Sequence, residues 1–259
     1  MRMGVGETAS DINRHSRESG NPVNIQSMEI EMSDTQYDSR FKSVEGLAWD
    51  PWVGNRYNES GIFILGMSTY DSGDKCWKKE CNTKRTANHS LVQGCGIEEE
   101  RRTGCFANTA MMFLDGAGRS YDDKGVREMF WESVAFANFV QKIVPAGTQV
   151  WNVGPDLLTR SRKASCAVID IIKPKLILVW GVTTVGEIYA PNIRYGEPKI
   201  NRTYPRVIQE VVALPNNPPP IIGMAHPSAH FSRGEWRKFL LKEPASGETI
   251  KRFIDYLKH

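Results

Sequence analysis

Ile62-Phe63-Ile64-Leu65-Gly66-Met67-Ser68-Thr69-Tyr70-Asp71 is an apolar run that stops at a glycine and passes into small polar residues. Four apolar residues in succession between Gly61 and Gly66 suit a strand covered on both faces, and strands of that kind belong to parallel sheets flanked by helices. In such sheets ligands gather beyond the carboxyl ends of the strands, so Met67 to Asp71 are the first candidates for chemistry.

Three later stretches repeat the design. Lys124 to Val140 begins with helical spacing and passes into a second apolar strand over Ser133 to Phe139. Pro155 to Lys173 places Leu157, Leu158, Ala164, Ala167, Val168 and Ile171 at helical intervals, and Lys173-Pro174 stops it. Leu176 to Gly181 is again an apolar run closed by glycine, and Ile221-Ile222-Gly223-Met224 is a short last strand that delivers Ala225-His226-Pro227-Ser228. Helices are expected from Ala107, over Thr184 to Tyr189, and over Glu248 to Leu257, where Ile250, Phe253, Ile254 and Leu257 share a face. Arg206 to Leu214 is a possible further strand. The expected fold is a three-layer α/β/α sandwich with a central, mainly parallel four-stranded sheet.

Composition sets the limits. At 259 residues, 40% apolar and 24% charged, the chain supports one substantial α/β domain. Residues 1 to 36 lack a periodic apolar face and read as a disordered tail. The domain then runs from 37 to 259, with a polar, lysine- and arginine-rich insertion at about 71 to 108. A net charge of +3 permits an anionic partner without requiring one. No window has the roughly 18 to 20 apolar residues of a membrane span, and the N-terminus has no signal-like apolar centre, so the expectation is a cytoplasmic protein with no membrane contact. Five cysteines without an export signal argue for reduced thiols.

The four strand ends are Gly66-Met67-Ser68-Thr69-Tyr70, Phe136-Ala137-Asn138, Val179-Trp180-Gly181 and His226-Pro227-Ser228. Their order and wording resemble the uracil-DNA glycosylase superfamily over residues 45 to 257. In that family a Gly-x-x-x-Tyr or Gly-x-x-Pro-Gly motif follows the first strand, an Asn ends the second, a Leu-x-Trp-Gly strand comes third and a His-Pro-Ser loop last. Leu65-Gly66-Met67-Ser68-Thr69-Tyr70 is nearest the prokaryotic members with a Leu-Gly-x-Ser-x-Tyr first motif.

The resemblance implies a monofunctional enzyme that extrudes a base from DNA and hydrolyses its N-glycosidic bond, chiefly by electrostatic stabilisation. By the same resemblance, His226 would donate to the pyrimidine O2 as negative charge grows there. Asn138 would read the base edge, Tyr70 would sit against C5, Phe136 would stack on the base face, and the Met67 and Ser68 amides would hold carbonyl oxygens. The uracil enzymes often carry a water-activating Asp or Asn where this chain has Ser68; Asp71 is the nearest alternative carboxylate. The family's wedging Leu after His-Pro-Ser is replaced by Ala229-His230-Phe231, so His230 or Phe231 would fill the vacated stack. Ser228, Arg233, Arg237 and Lys238 would contact the DNA.

Cys76, Cys81, Cys95 and Cys105 cluster with His89 in the insertion, but their spacing matches neither a standard zinc site nor the paired cysteines of iron–sulfur relatives. No metal or other cofactor is expected, with those four cysteines as the ligands if one binds. No Gly-x-Gly-x-x-Gly follows a strand, which argues against a nucleotide cofactor. DNA is the expected partner of a monomeric protein. Because the insertion begins beside Tyr70, the expected substrate is a modified pyrimidine such as glucosylated hydroxymethylcytosine of phage DNA, with a role in anti-phage defence. Plain uracil repair and a non-catalytic nucleic-acid-binding module are the alternatives.

Overall fold

The structure, a computed structural model, describes residues 37–71, 87–100, 102, 104–148, 152–181, 193–195, 206–208, 219–228 and 231–259. The side chains of Asp38, Tyr70, Asp71 and residues 193–195 and 206–208 are outside that description. The expected tail over 1–36, the helix over 184–189, Cys76, Cys81 and His230 also lie outside the described residues.

In chain order the strands are β1 (Trp52–Val53), β2 (Ile62–Gly66), β3 (Tyr70–Asp71), β4 (Val134–Asn138), β5 (Val144–Pro145), β6 (Leu176–Trp180), β7 (Ile193–Tyr195), β8 (Arg206–Ile208) and β9 (Ile221–Met224). The helices are α1 (Asp38–Phe41), α2 (Ala87–Leu91), α3 (Cys105–Ala117), α4 (Lys124–Glu132), α5 (Pro155–Ile172), α6 (Arg233–Lys242) and α7 (Gly247–Leu257), and a π-helical segment over Val92–Glu98 continues α2.

The fold is mixed α/β. Its main sheet has the order β1-β4-β2-β6-β9-β8-β7, and the four strands expected from the sequence form its parallel centre. The sheet is wider than expected: β1 adds an antiparallel edge beside β4, and β8 and β7 extend the other side antiparallel from β9. β8 lies at the start of the possible strand marked over Arg206 to Leu214, whereas β1 and β7, two and three residues long, are too short to leave a period in the sequence. Alternate residues of the central strands feed two cores. Ile62, Ile64, Phe136, Leu178, Trp180 and Met224 pack with helices α3, α4, α6 and α7. Phe63, Leu65, Ala135, Ala137, Ile177 and Val179 pack with α5 and the segment around Phe41. Across the register Phe63 faces Ala135 and Leu65 faces Ala137, so large and small side chains alternate on one face.

Local signals set the helix ends. Asp123 Oδ1 accepts from the Gly125 and Val126 amides at 2.8 and 3.4 Å to cap α4. Pro155 opens α5, and Lys173, in the left-handed region at φ 47°, closes it before Pro174. Helix α6, unforeseen in the sequence, spans a polar stretch that buries only Trp236 and Leu240.

The described part of the insertion expected at 71–108 contributes to the core. Ala87, Val92, Ile97, Phe106 and Ala107 within it are buried in the core. The apolar positions are spread across α2, the π segment and the start of α3, so no single period reveals them. Buried Arg127, 1% exposed, donates to the carbonyls of Ile97 at 2.7 Å, Tyr121 at 2.8 Å and Asp122 at 2.9 Å, which bolts the π segment to α4. Gly96 lets that segment close on α4, since a Cβ there would lie 2.7 Å from Trp131 Nε1.

Candidate active site

Strand β2 is flanked by β4 on one side and β6 on the other, so the connections after it depart in opposite directions. A crevice opens at the carboxyl end of a strand in that position. It holds a cavity of about 320 Å³ lined on the strand side by Gly66 to Thr69, Phe136, Asn138, Trp180 and His226. Leu91, Cys95, Glu99, Gly104, Cys105 and Phe106 form its helical wall.

The strand side is held by the backbone. The Gly66, Met67 and Thr69 carbonyls accept from the amides of Phe139 at 2.8 Å, Val140 at 2.8 Å and Val144 at 3.0 Å, extending the β2–β4 ladder past the strand ends. Gly66 pairs with Asn138 in register. A Cβ on residue 66 would stand 2.5 Å from Asn138 Oδ1 and 3.5 Å from the Phe136 ring, so only glycine leaves room for the amide. Asn138, 4% exposed, sits in a polar net: its Nδ2 donates to Thr69 Oγ1 at 3.0 Å, its backbone amide donates to Asn88 Oδ1 at 3.2 Å, and its carbonyl accepts from Gln141 Nε2 at 2.6 Å. Asn88, fully buried, also donates to the Asp50 carbonyl at 3.0 Å. Gln141 Oε1 accepts from the amides of Ala48 at 3.0 Å and Trp49 at 3.1 Å. Buried amides are satisfied in this way because each unmade bond costs about 1–3 kcal/mol. The result is one amide group locked at the pocket floor.

Phe136 does line the cavity, yet its ring is 1% exposed and sits 5.0 Å from Phe106 and 5.3 Å from Trp180, centroid to centroid. Phe106 meets Trp180 edge-on at 5.1 Å. The three rings make a rigid aromatic floor, of which only Phe136 was marked in the sequence.

His226 stands exposed at the mouth. Its Nδ1 is 2.8 Å from Ser228 Oγ, and its ring meets Trp180 edge-on at 6.3 Å. Asn108 Nδ2 donates to the Pro227 carbonyl at 2.6 Å and fixes the loop from the side of α3. Partial removal of the ring from water holds the imidazole below its ordinary pKa, which favours the neutral form near pH 7. Ser228, expected to touch DNA, therefore orients His226.

The remaining expected residues divide. Ser68 lines the cavity, and its hydroxyl donates to the carbonyls of Thr69 at 3.1 Å and Lys142 at 3.0 Å. Met67 lines it as well. Tyr70 and Asp71 pair with Val144 and Pro145 through their backbones in a two-stranded sheet. Phe231 is stacked on Trp236 at 6.1 Å and packed against the core, which removes it from the role of a free wedge. Arg233 donates to Met111 Sδ at 2.7 Å and lies 3.6 Å from Asp115, while Arg237 donates to the Met112 carbonyl at 3.2 Å. Both guanidiniums tie α6 to α3 instead of standing free for phosphates. Lys238 is exposed and paired with Glu235 at 2.8 Å.

Two of the four clustered cysteines, Cys95 and Cys105, reach the helical wall as free thiols. Burial pushes the Cys105 thiol up to about 11, and burial followed by the nearby Glu99 carboxylate pushes Cys95 up as well. Both are protonated near neutral pH and contribute a soft, weakly polar surface. Among the described residues no three His, Cys, Asp or Glu side chains come together as a metal-binding group. Asn88, Glu99 and Phe106 were not singled out in the sequence, and Thr69 and Trp180 were given no role there. Thr69 and Trp180 had a signal there, each in the motif that ends a marked strand.

No helix among the described residues is long and apolar enough to cross a membrane. No protein-family model matches the chain and no curated protein matches it, so the chemistry of this pocket is read from its own residues.

Proposed function

We propose that the protein is a DNA glycosylase that hydrolyses the N-glycosidic bond of a flipped pyrimidine and leaves an abasic site. One observation carries the reading: an immobilised amide, Asn138, shares a small aromatic-floored cavity with a neutral imidazole, His226, at its mouth. A cavity of about 320 Å³ is at the small end of ligand pockets, a size for one base and not for a nucleotide cofactor.

In this reading an extruded base enters the aromatic-lined cavity, and the protein offsets the unstacking cost of a few kcal/mol by burying the base faces. With one Asn138 amide hydrogen engaged by Thr69, Oδ1 is the acceptor for the N–H on the base edge. When the Ser228 hydroxyl donates to Nδ1, the imidazole proton resides on Nε2, which is the donor for the base oxygen on which charge develops.

The cavity size and the packed second half of the 71–108 region favour a pyrimidine without a large substituent, uracil first. Glucosylated hydroxymethylcytosine and a defence role stay as the second arm of the test, since residues 72–86 next to Tyr70 lie outside the described residues. The assay offers duplexes and single strands carrying uracil, hydroxymethylcytosine or its glucosylated form and identifies the released base by mass spectrometry. Uracil release is the expected result. His226→Ala should lower the single-turnover rate by roughly 10²-fold or more while salt-dependent DNA binding persists. A protein that binds DNA and releases no base is a non-catalytic module, and the proposal fails.

A further inference from the structure

Base hydrolysis needs a group that orients and deprotonates water, and Ser68, one of the two residues marked for that task in the sequence, is not built for it. The Ser68 hydroxyl donates to two backbone carbonyls and has no proton-accepting charge. Asp71 sits in strand β3, paired through its backbone with Pro145, beyond Thr69 where the strand-side lining ends among the described residues.

The helical wall supplies the alternative. Glu99 is the one carboxylate among the described residues that line the cavity, and it shares that lining with His226 and Asn138. It is half-buried and its position is set by the fold. The Glu99 amide donates to the Gly94 carbonyl at 3.0 Å, closing the π segment, and its backbone is extended at φ −76°, ψ 119°. Two residues earlier, Ile97 is held by the buried Arg127 at 2.7 Å. π-Helical turns recur at functional sites because the extra residue per turn re-aims the side chains around it. The Glu99 charge is felt by Cys95 and Tyr121, both of which it pushes further toward their neutral forms. Leu91, Cys95, Gly104, Cys105 and Phe106 line the cavity from the same wall.

We infer that Glu99 is the catalytic carboxylate that activates the attacking water, a role that rests on the base-excision reading above. In the step it serves, a water oxygen forms a bond to C1′ of the sugar as the C1′–N bond breaks. The electron pair of that bond leaves with the base, whose negative charge is stabilised by the His226 N–H. The water proton passes to the Glu99 carboxylate, and the departing base anion is reprotonated from solvent. General-base assistance of this kind is worth roughly 10²–10⁴-fold.

The experiment uses the full chain and the substrate that the wild type cleaves. Glu99→Gln should lower the single-turnover rate by roughly 10²-fold or more. Its Kd for a duplex carrying a 2′-fluorinated, hydrolysis-resistant nucleotide should change by no more than about twofold, and its thermal midpoint should not move. Glu99→Ala should regain activity in added sodium formate, which returns a carboxylate to the vacated space. A Glu99→Gln rate within about threefold of wild type overturns the inference, as does a slow Glu99→Ala that formate leaves slow. Wild-type protein that releases no base from any substrate overturns the glycosylase reading itself, and with it this one.

Discussion

The two walls of the cavity are built on different principles. The strand side places Gly66 to Thr69, Asn138 and Trp180 by backbone register: each position follows from ladder bonds between β2, β4 and β6 and their continuation to Val144. The helical wall has no ladder. It is held by individual side chains, with Arg127 on the Ile97 carbonyl, Gly96 against Trp131 and Asn88 under Asn138. A sheet edge is over-determined, because many bonds share the work, whereas the helical wall depends on a few contacts and can be lost piecemeal. The chemistry divides accordingly, with the fixed amide on the rigid wall and the carboxylate and thiols on the side-chain-anchored one.

The largest expected effect tests that division. Arg127→Met leaves two buried carbonyls and one part-buried carbonyl without their donor and should cost about 3 kcal/mol, read from denaturant unfolding. Hydrogen exchange should speed selectively in residues 91–99, with β2 and β6 still protected. Uniform loss of protection across both walls would show them to be one cooperative unit and break the contrast.

Gly66→Ala probes the strand side. Its new methyl would press on Asn138 Oδ1 from 2.5 Å, so the amide must shift or the strand end must give. Overpacking of this kind costs about 1–3 kcal/mol, and base release should fall far more than stability because the displaced group is the reader. A variant with wild-type release would mean that the strand end is softer than its ladder implies.

The smallest effect concerns pH. The folded protein holds His226 below its ordinary pKa, so the native state binds fewer protons than the unfolded chain near pH 6.5. The stability linked to the neutral ring is present above about pH 6.5 and is lost as pH falls through that value toward the lower folded pKa. His226→Gln should remove this part of the acid slope, seen as a flatter dependence of the thermal midpoint between about pH 5 and 7. Because the residue stands at the mouth, the change should be modest, and a slope unaltered by the substitution would place the ring in ordinary solvent.

Stability, register and chemistry were not equally legible. The central parallel sheet was readable from residues 62–66, 133–139, 176–181 and 221–224, because a strand buried on both faces needs a continuous apolar run and the run ends where the strand ends. His226, Asn138 and Ser68 could be marked because they stand at the ends of those strands, and the roles expected of them came from the family resemblance. Those facts belong to the sequence alone. What tertiary structure decided is every contact made between segments distant in the chain. Arg233 and Arg237 read as free cations until α3 offered Asp115 and the Met112 carbonyl as partners. Residues 87–106 read as part of a polar insertion because their apolar positions are scattered over short helical turns, and they become core only once the sheet face exists to receive them. Glu99 and Phe106 carried no local signal, since a carboxylate in a charged stretch and a phenylalanine at a helix start are ordinary in sequence. The fold brings them to the strand ends, where burial and proximity give them their chemistry.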